Sequence, residues 1–499
     1  MLAEAAFMAI PLVVCLIYRD RMIDIWSFVI TIAALVAFGF LISIKAQKDG
    51  ELFARDGLAI VSLSWIVMSL FGALPFTISG ATATYVDSVF ETVSGFTTTG
   101  ASILDGPVIE SLGRGLLFWR SFTHWIGGMG VLVFVMAILP MSGARNMHIM
   151  RAEVPGPEVG KLVSKISKTA KILYGIYFII TLTETVVLWI DPQMSLYDAL
   201  IHSFGTAGTG GFSNWGSSIG HYTSTYVHVA TSIFMLIFGV NFNLYYLMLL
   251  RQFRKAFNNL ELKVYLAIVG SATLIMTLNI YYSVKQYMGN FGLSLRDSFF
   301  QVSSLITTTG YSTADFATWP NLSRCLVVLL MFFGATAGST GGGFKLSRII
   351  ILVKAAGCEM KKLIHPHAIS PVRMDKKSVD EATVHGTLVY FVVYASVLLV
   401  SFFLLSIDPV SYDTTTSFTA VLSCLNNIGP GLSKVGPTCN FGFFSIPSKI
   451  LLTVDMLMGR LEIFPVLMLF APGMWKRRRA MSKARLAKIY AEDDKRLGE

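Results

Sequence analysis

The chain has 499 residues, 54% of them hydrophobic and only 14% charged, whereas a soluble domain carries roughly 25% charged residues. That balance excludes a soluble fold, and stretches such as Phe391 to Ile407 and Ile233 to Leu250, free of Asp, Glu, Lys and Arg, point to an all-α polytopic membrane protein. The net charge of +10 does not indicate nucleic acid, because the Lys and Arg residues gather in loops between apolar segments, as a topology signal does.

In chain order, Met1 to Leu16 contains Glu4 and no Lys or Arg, so it lacks the basic start of a secretory signal and is expected to be retained. Apolar stretches at about 3–18 and 25–44, split by Arg19, Asp20, Arg21 and Asp24, form an N-terminal two-helix extension over residues 1–50. Four units follow at 51–145, 146–255, 256–375 and 376–475, and a basic tail at 476–499 closes the chain. Each unit holds two apolar segments, near 58–78 and 116–140, 172–190 and 226–250, 264–284 and 324–353, and 384–407 and 447–471. The expected architecture is ten spanning helices plus four half-spanning pore helices, with both termini cytoplasmic. Basic loops at 45–55, 141–171, 251–263 and 354–377 and the tail from Lys476 are assigned to the cytoplasm, while loops such as Asp191 to Thr225, which has no Lys or Arg, face outward. The five cysteines, Cys15, Cys325, Cys358, Cys424 and Cys439, follow no metal spacing and are assigned no chemistry.

The units are repeats. Asp87 to Ser102 (DSVFETVSGFTTTGAS) and Asp297 to Ser312 (DSFFQVSSLITTTGYS) are identical at nine of sixteen positions without a gap. A second copy, Asp198 to Ser213, keeps Asp198, Thr209, Gly211 and Ser213. A fourth, Ser417 to Ser433, places Gly429 in register with Gly100, Gly211 and Gly310, at the expense of an assumed three-residue insertion after Asp413. Each copy opens with about ten residues of helical character and ends in Thr and Gly, too short to cross a bilayer and too apolar for a surface loop. Irregular backbone at membrane depth survives only inside protein or beside a wet cavity, so four re-entrant segments imply a central pore.

Extended Thr and Gly backbone suits a filter in which rings of carbonyls replace the hydration shell of a cation, and the C-terminal end of each pore helix adds partial negative charge. The candidate ion-binding set is Thr98, Thr99 and Gly100; Thr209, Gly210 and Gly211; Thr308, Thr309 and Gly310; and Asn427, Ile428 and Gly429. A membrane-embedded enzyme would need a nucleophile and base clustered inside a span, which is not apparent, and a purely structural receptor would not need four such loops.

The segments SGFTTTGAS (94–102), GTGGFS (208–213), ITTTGYS (306–312), NNIGPGLS (426–433), HWIGGMG (124–130), GATAGSTGGGFK (334–345) and MGRLEIFPVL (458–467) resemble the Trk/Ktr/HKT superfamily of potassium transporters, and most of all its bacterial TrkH-type subunit. The resemblance spans nearly the whole chain. It implies potassium uptake across the inner membrane by a homodimer with one pore per subunit, working with a cytosolic nucleotide-binding ring of the TrkA type, with potassium as substrate and no cofactor on this chain. In the related plant transporters Ser at the first filter glycine goes with sodium transport, so four glycines favour potassium over the alternative of a sodium-selective or poorly selective pore. The second loop departs from the pattern by reading TGG, which leaves its part in coordination the least secure of the first three.

Gly334 to Gly343 interrupts a long apolar run and is read as an intramembrane gate, with Gly334, Gly338, Gly341, Gly342, Gly343, Lys345 and Arg460 as its residues. It is not a phosphate loop, since Phe344 and Leu346 flank Lys345 where that motif needs Gly before Lys and Ser or Thr after it. Arg460 lies within an apolar span, where a central Arg costs about 2.5 to 3.5 kcal/mol on insertion scales. Asp455 and Glu462 fall roughly 140° and 160° from it around a helix, so it either faces the wet pore, where the resemblance also places it, or pairs with an acid such as Glu184. His365, Pro366 and His367 read as solvated loop, and Arg120 and His124, one helical turn apart, face a neighbouring helix or the inner cavity. Basic loops on the cytoplasmic face would suit a protein partner or anionic membrane lipid.

Overall fold

The computed structural model describes residues 1–45, 54–130, 166–366, 370–375, 377–408 and 413–475. The basic loops at 45–55 and 141–171 lie largely outside these residues, as do His367 and the tail from Lys476.

Helices dominate because uninterrupted apolar sequence in a bilayer must satisfy every backbone N–H and C=O within its own segment. Leu2–Tyr18 and Met22–Lys45 form an N-terminal antiparallel hairpin packed on the first repeat. Each repeat then has a leading helix, a pore helix and a trailing helix. The leading helices are Ala54–Gly72 with its continuation Leu74–Ile78, Ile166–Trp189, Leu260–Ser283 and Glu381–Leu405. All four contribute a long apolar span, and with Met22–Ile44 they make five helices that could cross a membrane unaided. Their outer faces expose Phe178, Ile179, Leu182, Leu274, Val392 and Leu399, as expected of side chains that meet lipid.

The trailing helices begin at Arg114, Thr225, Asn321 and Ile446, and here the expectation of continuous spans is corrected. The second breaks between Phe238 and Phe242 with a bend of 88°. The third breaks between Phe332 and Leu346, where the gate segment was expected, and the fourth after Arg460, resuming at Phe464. The first runs from Arg114 to Met129, and its expected extension to 140 lies outside the described residues. Glycine explains part of this: Gly239 and the Gly334 to Gly343 run are poor helix formers, and their freed carbonyls find other partners below.

The pore helices are Tyr85–Phe96, Leu196–Gly208, Phe291–Ile306 and Thr414–Asn426. At 12 to 16 residues they reach roughly 18–24 Å, short of a 30 Å hydrocarbon core. Thr84 and Ser195 cap the first two by accepting from the N–H groups of Asp87 and Asp198, and their hydroxyls donate to the same two carboxylates. The arrangement differs from a capping box, in which the acid would accept from the backbone N–H of the cap residue and not from its hydroxyl. Asp413 occupies the matching position in the fourth repeat and accepts from the N–H and hydroxyl of Thr416. The assumed insertion after Asp413 is therefore unnecessary: Asp413 aligns with the caps Thr84 and Ser195, and the acid and the hydroxyl have exchanged places.

The four repeats close into a ring. Every trailing helix packs against its own pore helix and against that of the next repeat, and the trailing helix of the fourth repeat packs on the pore helix of the first. A side-chain bond from the N-terminal extension secures the first repeat, where Asp20 accepts from the N–H of Gly115 at 2.7 Å. Because Asp413 alone caps the fourth pore helix, Asp413→Ala should lower stability by about 1 kcal/mol. Thermal unfolding in detergent will show this as a reduced midpoint, and an unchanged midpoint would mean that the cap is dispensable.

Candidate ion-conduction site

Past the end of each pore helix the chain follows one course four times. Thr98, Thr209, Thr308 and Asn427 stand in the left-handed region at φ 55°, 57°, 58° and 54°. The next residue's N–H, at Thr99, Gly210, Thr309 and Ile428, bonds back to the carbonyl of Ser94, Gly205, Ser304 and Ser423 at 2.8–3.0 Å. This is the bond pattern of a glycine-terminated helix, here carried by Asn427, which tolerates the left-handed conformation, and by three threonines, for which it is strained. Two residues later Gly100, Gly211, Gly310 and Gly429 again take positive φ, 78°, 77°, 83° and 101°.

These glycines hold the ring together at its narrowest contacts. A Cβ on Gly100 would overlap the carbonyl oxygen of Gly210, one on Gly211 that of Thr309, and one on Gly310 that of Ile428. On Gly429 it would stand 2.8 Å from the carbonyl oxygen of Thr99, which completes the circuit. The twelve residues singled out from sequence are thus brought together, each glycine against the carbonyl of the following repeat. Nine of the twelve are buried, Gly429 among them, and only Gly100, Gly211 and Gly310 are partly open. Gly100, Gly211, Gly310 and Gly429 all line one cavity of about 380 Å³ on one side of the ring.

Side chains behind the loops fix this backbone. The hydroxyls of Thr97 and Thr99 pair at 2.8 Å, as do those of Thr307 and Thr309. The second loop has Gly208 and Gly210 at the matching positions, and its departure from TTTG has a steric cause: a Cβ on Gly210 would enter the ring of His124, and one on Gly208 its carbonyl. His124, whose role was open, places Nδ1 2.7 Å from the carbonyl of Gly95, and its Nε2 accepts from the N–H of Phe212 at 3.2 Å. It therefore joins the first loop to the second. Asn427 does the same between the fourth and first, its Nδ2 donating to Thr99 Oγ1 and to the carbonyl of Met456, both at 2.9 Å.

The Gly334 to Gly343 segment, expected as a gate, does not line that cavity and meets the loops elsewhere. Its neck is closed by the N–H of Gly334 donating to the carbonyl of Phe344 at 3.0 Å. The loop then meets three repeats. Thr209 Oγ1 donates to the carbonyl of Thr340 at 3.1 Å, the N–H of Gly342 donates to Thr308 Oγ1 at 2.7 Å, and Gly342 abuts Asn426 and Asn427. Gly338 and Gly343 adopt positive φ, 76° and 71°. The break in the second trailing helix receives the loop, since the carbonyl of Gly239 accepts from both the N–H and the hydroxyl of Thr336. Glu261 accepts from the N–H of Ala337 at 2.8 Å, and buried Lys345 donates to the carbonyl of Gly341.

Arg460 ties the loop to the first repeat. Its Nη1 donates to the carbonyl of Thr340 at 2.8 Å, and its Nη2 donates to the carbonyls of Gly127 and Gly128. These bonds go to backbone carbonyls of the loop and of the last turn of Arg114–Met129 and not to Glu184, and they supply part of the compensation that an apolar span withholds. Asp455 and Glu462 point elsewhere, as their helical angles require: Asp455 accepts from Ser401 at 2.7 Å, and Glu462 forms an ion pair with Arg348. Sequence reasoning missed the bond of Glu261 to the loop, the pairing of Arg348 with Glu462 and the bonds of Arg460 to the Gly127 and Gly128 carbonyls, all contacts between distant parts of the chain.

Residues 25–477 match the family model described as TrkH, cation transport protein. The chain is 37% identical to the Trk system potassium uptake protein TrkH of Escherichia coli K12 over 94% of its own length and 96% of that protein's. It is 33% identical to the Trk system potassium uptake protein TrkG of the same organism, over 93% and 94% of the two chains. The crystal structure of the potassium transporter TrkH from Vibrio parahaemolyticus superposes with a TM-score of 0.83 at 32% identity, covering 95% of this chain and 96% of that one. With a helical multi-pass fold, a fourfold ring of loops and these matches along almost its entire length, the chain belongs to the TrkH family of cation transport proteins.

Proposed function

We propose that this chain is the potassium-conducting subunit of an uptake system in the inner membrane, with both termini cytoplasmic. The observation that carries this reading is the closed circuit in which each filter glycine abuts the carbonyl of the next repeat. A dehydrated cation needs oxygens on several sides at once, and a ring built of backbone supplies them without a carboxylate. The names of the relatives, potassium uptake proteins and a potassium transporter, support potassium as the ion, and glycine at all four sites favours it over sodium. Purified protein in liposomes should take up potassium and rubidium. Replacing Gly100, Gly211 or Gly310 by Ser should reduce the preference for potassium over sodium sharply, and Gly429→Ser less, because its Cβ has the most room. Unchanged selectivity in all four variants would sink the filter assignment.

The loop from Gly334 to Gly343 serves as the gate below this filter, with Lys345 and Arg460 as its braces. Its glycines allow backbone rotation at a few positions, as hinges do, while Arg460 and Thr308 hold it against the filter loops. Deleting Gly341 to Gly343 should raise basal flux, and Arg460→Ala, which frees Thr340 from Gly127 and Gly128, should do so too. A deletion variant that folds, conducts and responds like the parent would reduce the segment to a packing kink.

Control comes from outside the pore. A homodimer of this chain would seat a cytosolic nucleotide-binding ring of the TrkA type on its cytoplasmic face, where Met360, Leu363 and Ile364 are exposed beside Lys361 and Lys362. Co-purification from membranes should recover that ring, and added nucleotide should alter flux. Flux indifferent to nucleotide, with no ring recovered, would remove the partner from the scheme.

A further inference from the structure

Nine residues before each filter glycine stand Glu91, His202, Gln301 and Ala420, and two residues after it stand Ser102, Ser213, Ser312 and Gly431. In three repeats the pore-helix side chain grips the outgoing strand. Glu91 accepts from Ser102 Oγ and from the N–H of Ile103, each at 3.0 Å, and His202 Nε2 lies 2.9 Å from Ser213 Oγ. Gln301 Nε2 reaches Thr313 Oγ1 and the carbonyl of Ala314 at 3.5 Å. In the fourth repeat Ala420 cannot act, and the neighbouring Thr419 accepts from the N–H of Leu432 at 3.0 Å instead.

Only the first of these positions carries a charge, and that charge is used across a repeat boundary. Arg120 Nε lies 2.6 Å from Glu91 Oε1, with the side chains 3% and 0% exposed. The same guanidinium donates from Nη1 to the carbonyl of Ser213 at 2.8 Å and lies 3.6 Å from the centre of the Phe212 ring. Ser102, Glu91, Arg120, Ser213 and His202 thus form one chain of bonds joining the exits of the first and second filter loops. Arg120 also borders the outer cavity above the filter glycines, where an unbalanced cation would repel entering ions.

We propose that the Glu91–Arg120 pair is a specificity-determining bracket: it fixes the spacing of the first two filter exits and keeps the outer mouth electrically balanced. Both residues are positioning residues that act on the ion through the filter backbone and through their field. The inference rests on the reading of the ring as a potassium filter.

The test measures half-saturating potassium and the potassium-to-sodium flux ratio in liposomes for Glu91→Gln, Arg120→Gln, the double variant and Arg120→Lys, with Gly100→Ser alongside. Gln301 shows that the scaffold accommodates Gln at this position. Glu91→Gln, which strands the guanidinium, should raise half-saturating potassium about three- to tenfold. Adding Arg120→Gln should bring it back toward the parent, whereas the flux ratio should stay reduced because the Ser213 carbonyl has lost its donor. Arg120→Lys keeps the charge but cannot span Glu91 and Ser213 together, so it should lower the ratio with little change in half-saturation; this variant decides the matter if Glu91→Gln does not assemble. If both quantities are unaltered in the variants while Gly100→Ser loses selectivity, the bracket is refuted and the filter stands. If Gly100→Ser is also unaltered, the filter reading itself has failed.

Discussion

A carbonyl or N–H within a bilayer must find a partner or border water, because lipid offers neither. Around the ring, the described irregular stretches obey that constraint by bonding to one another or to helix ends. The loops after the pore helices return to their own helices, the Gly334 to Gly343 loop bonds to them and to the break in the second trailing helix, and Arg460 joins that loop to carbonyls in the last turn of Arg114–Met129. The breaks are mutually dependent. None could persist alone in an apolar span, and together they enclose the region where an ion would pass.

Much of this was legible in sequence because the repeat preserved it. Thr-Thr-Thr-Gly at 97–100 and 307–310 fixed the register, and the glycines of the weaker copies followed from it. What the alignment could not carry was the reason for each residue. Asp413 was matched to other aspartates by identity, but its position is that of a cap, which Thr or Ser can hold as well. Thr98, Thr209 and Thr308 gave no hint of left-handed backbone, since Thr seldom adopts it, and only the surrounding ring imposes it. The breaks at Gly239 and after Arg460 were hidden in runs that remained apolar, where hydropathy registers composition and not continuity.

The second loop shows how a pseudo-symmetric ring absorbs difference. His124 occupies the space that Thr side chains fill in the first and third repeats, and Gly208 and Gly210 make room for it. The backbone course is the same with Thr-Thr-Gly, Thr-Gly-Gly or Asn-Ile-Gly. Geometry is kept by paired threonine hydroxyls in the first and third loops and by unlike props elsewhere, among them a histidine, an amide and a buried ion pair.

Covalent linkage of the four repeats has a consequence for how such a ring can change. In an assembly of identical subunits, any substitution strikes all four sides at once, and a disruptive one leaves no intact neighbour. Here a substitution alters a single quadrant while three keep their hold on the backbone. A Cβ added at Gly429 would stand 2.8 Å from the carbonyl oxygen of Thr99, against 1.8 to 2.1 Å at the other three seams, so the least tight of four tight seams falls in the repeat that differs most from the others. That seam is where the ring would accept an added side chain at the least cost to the three quadrants that keep their contacts.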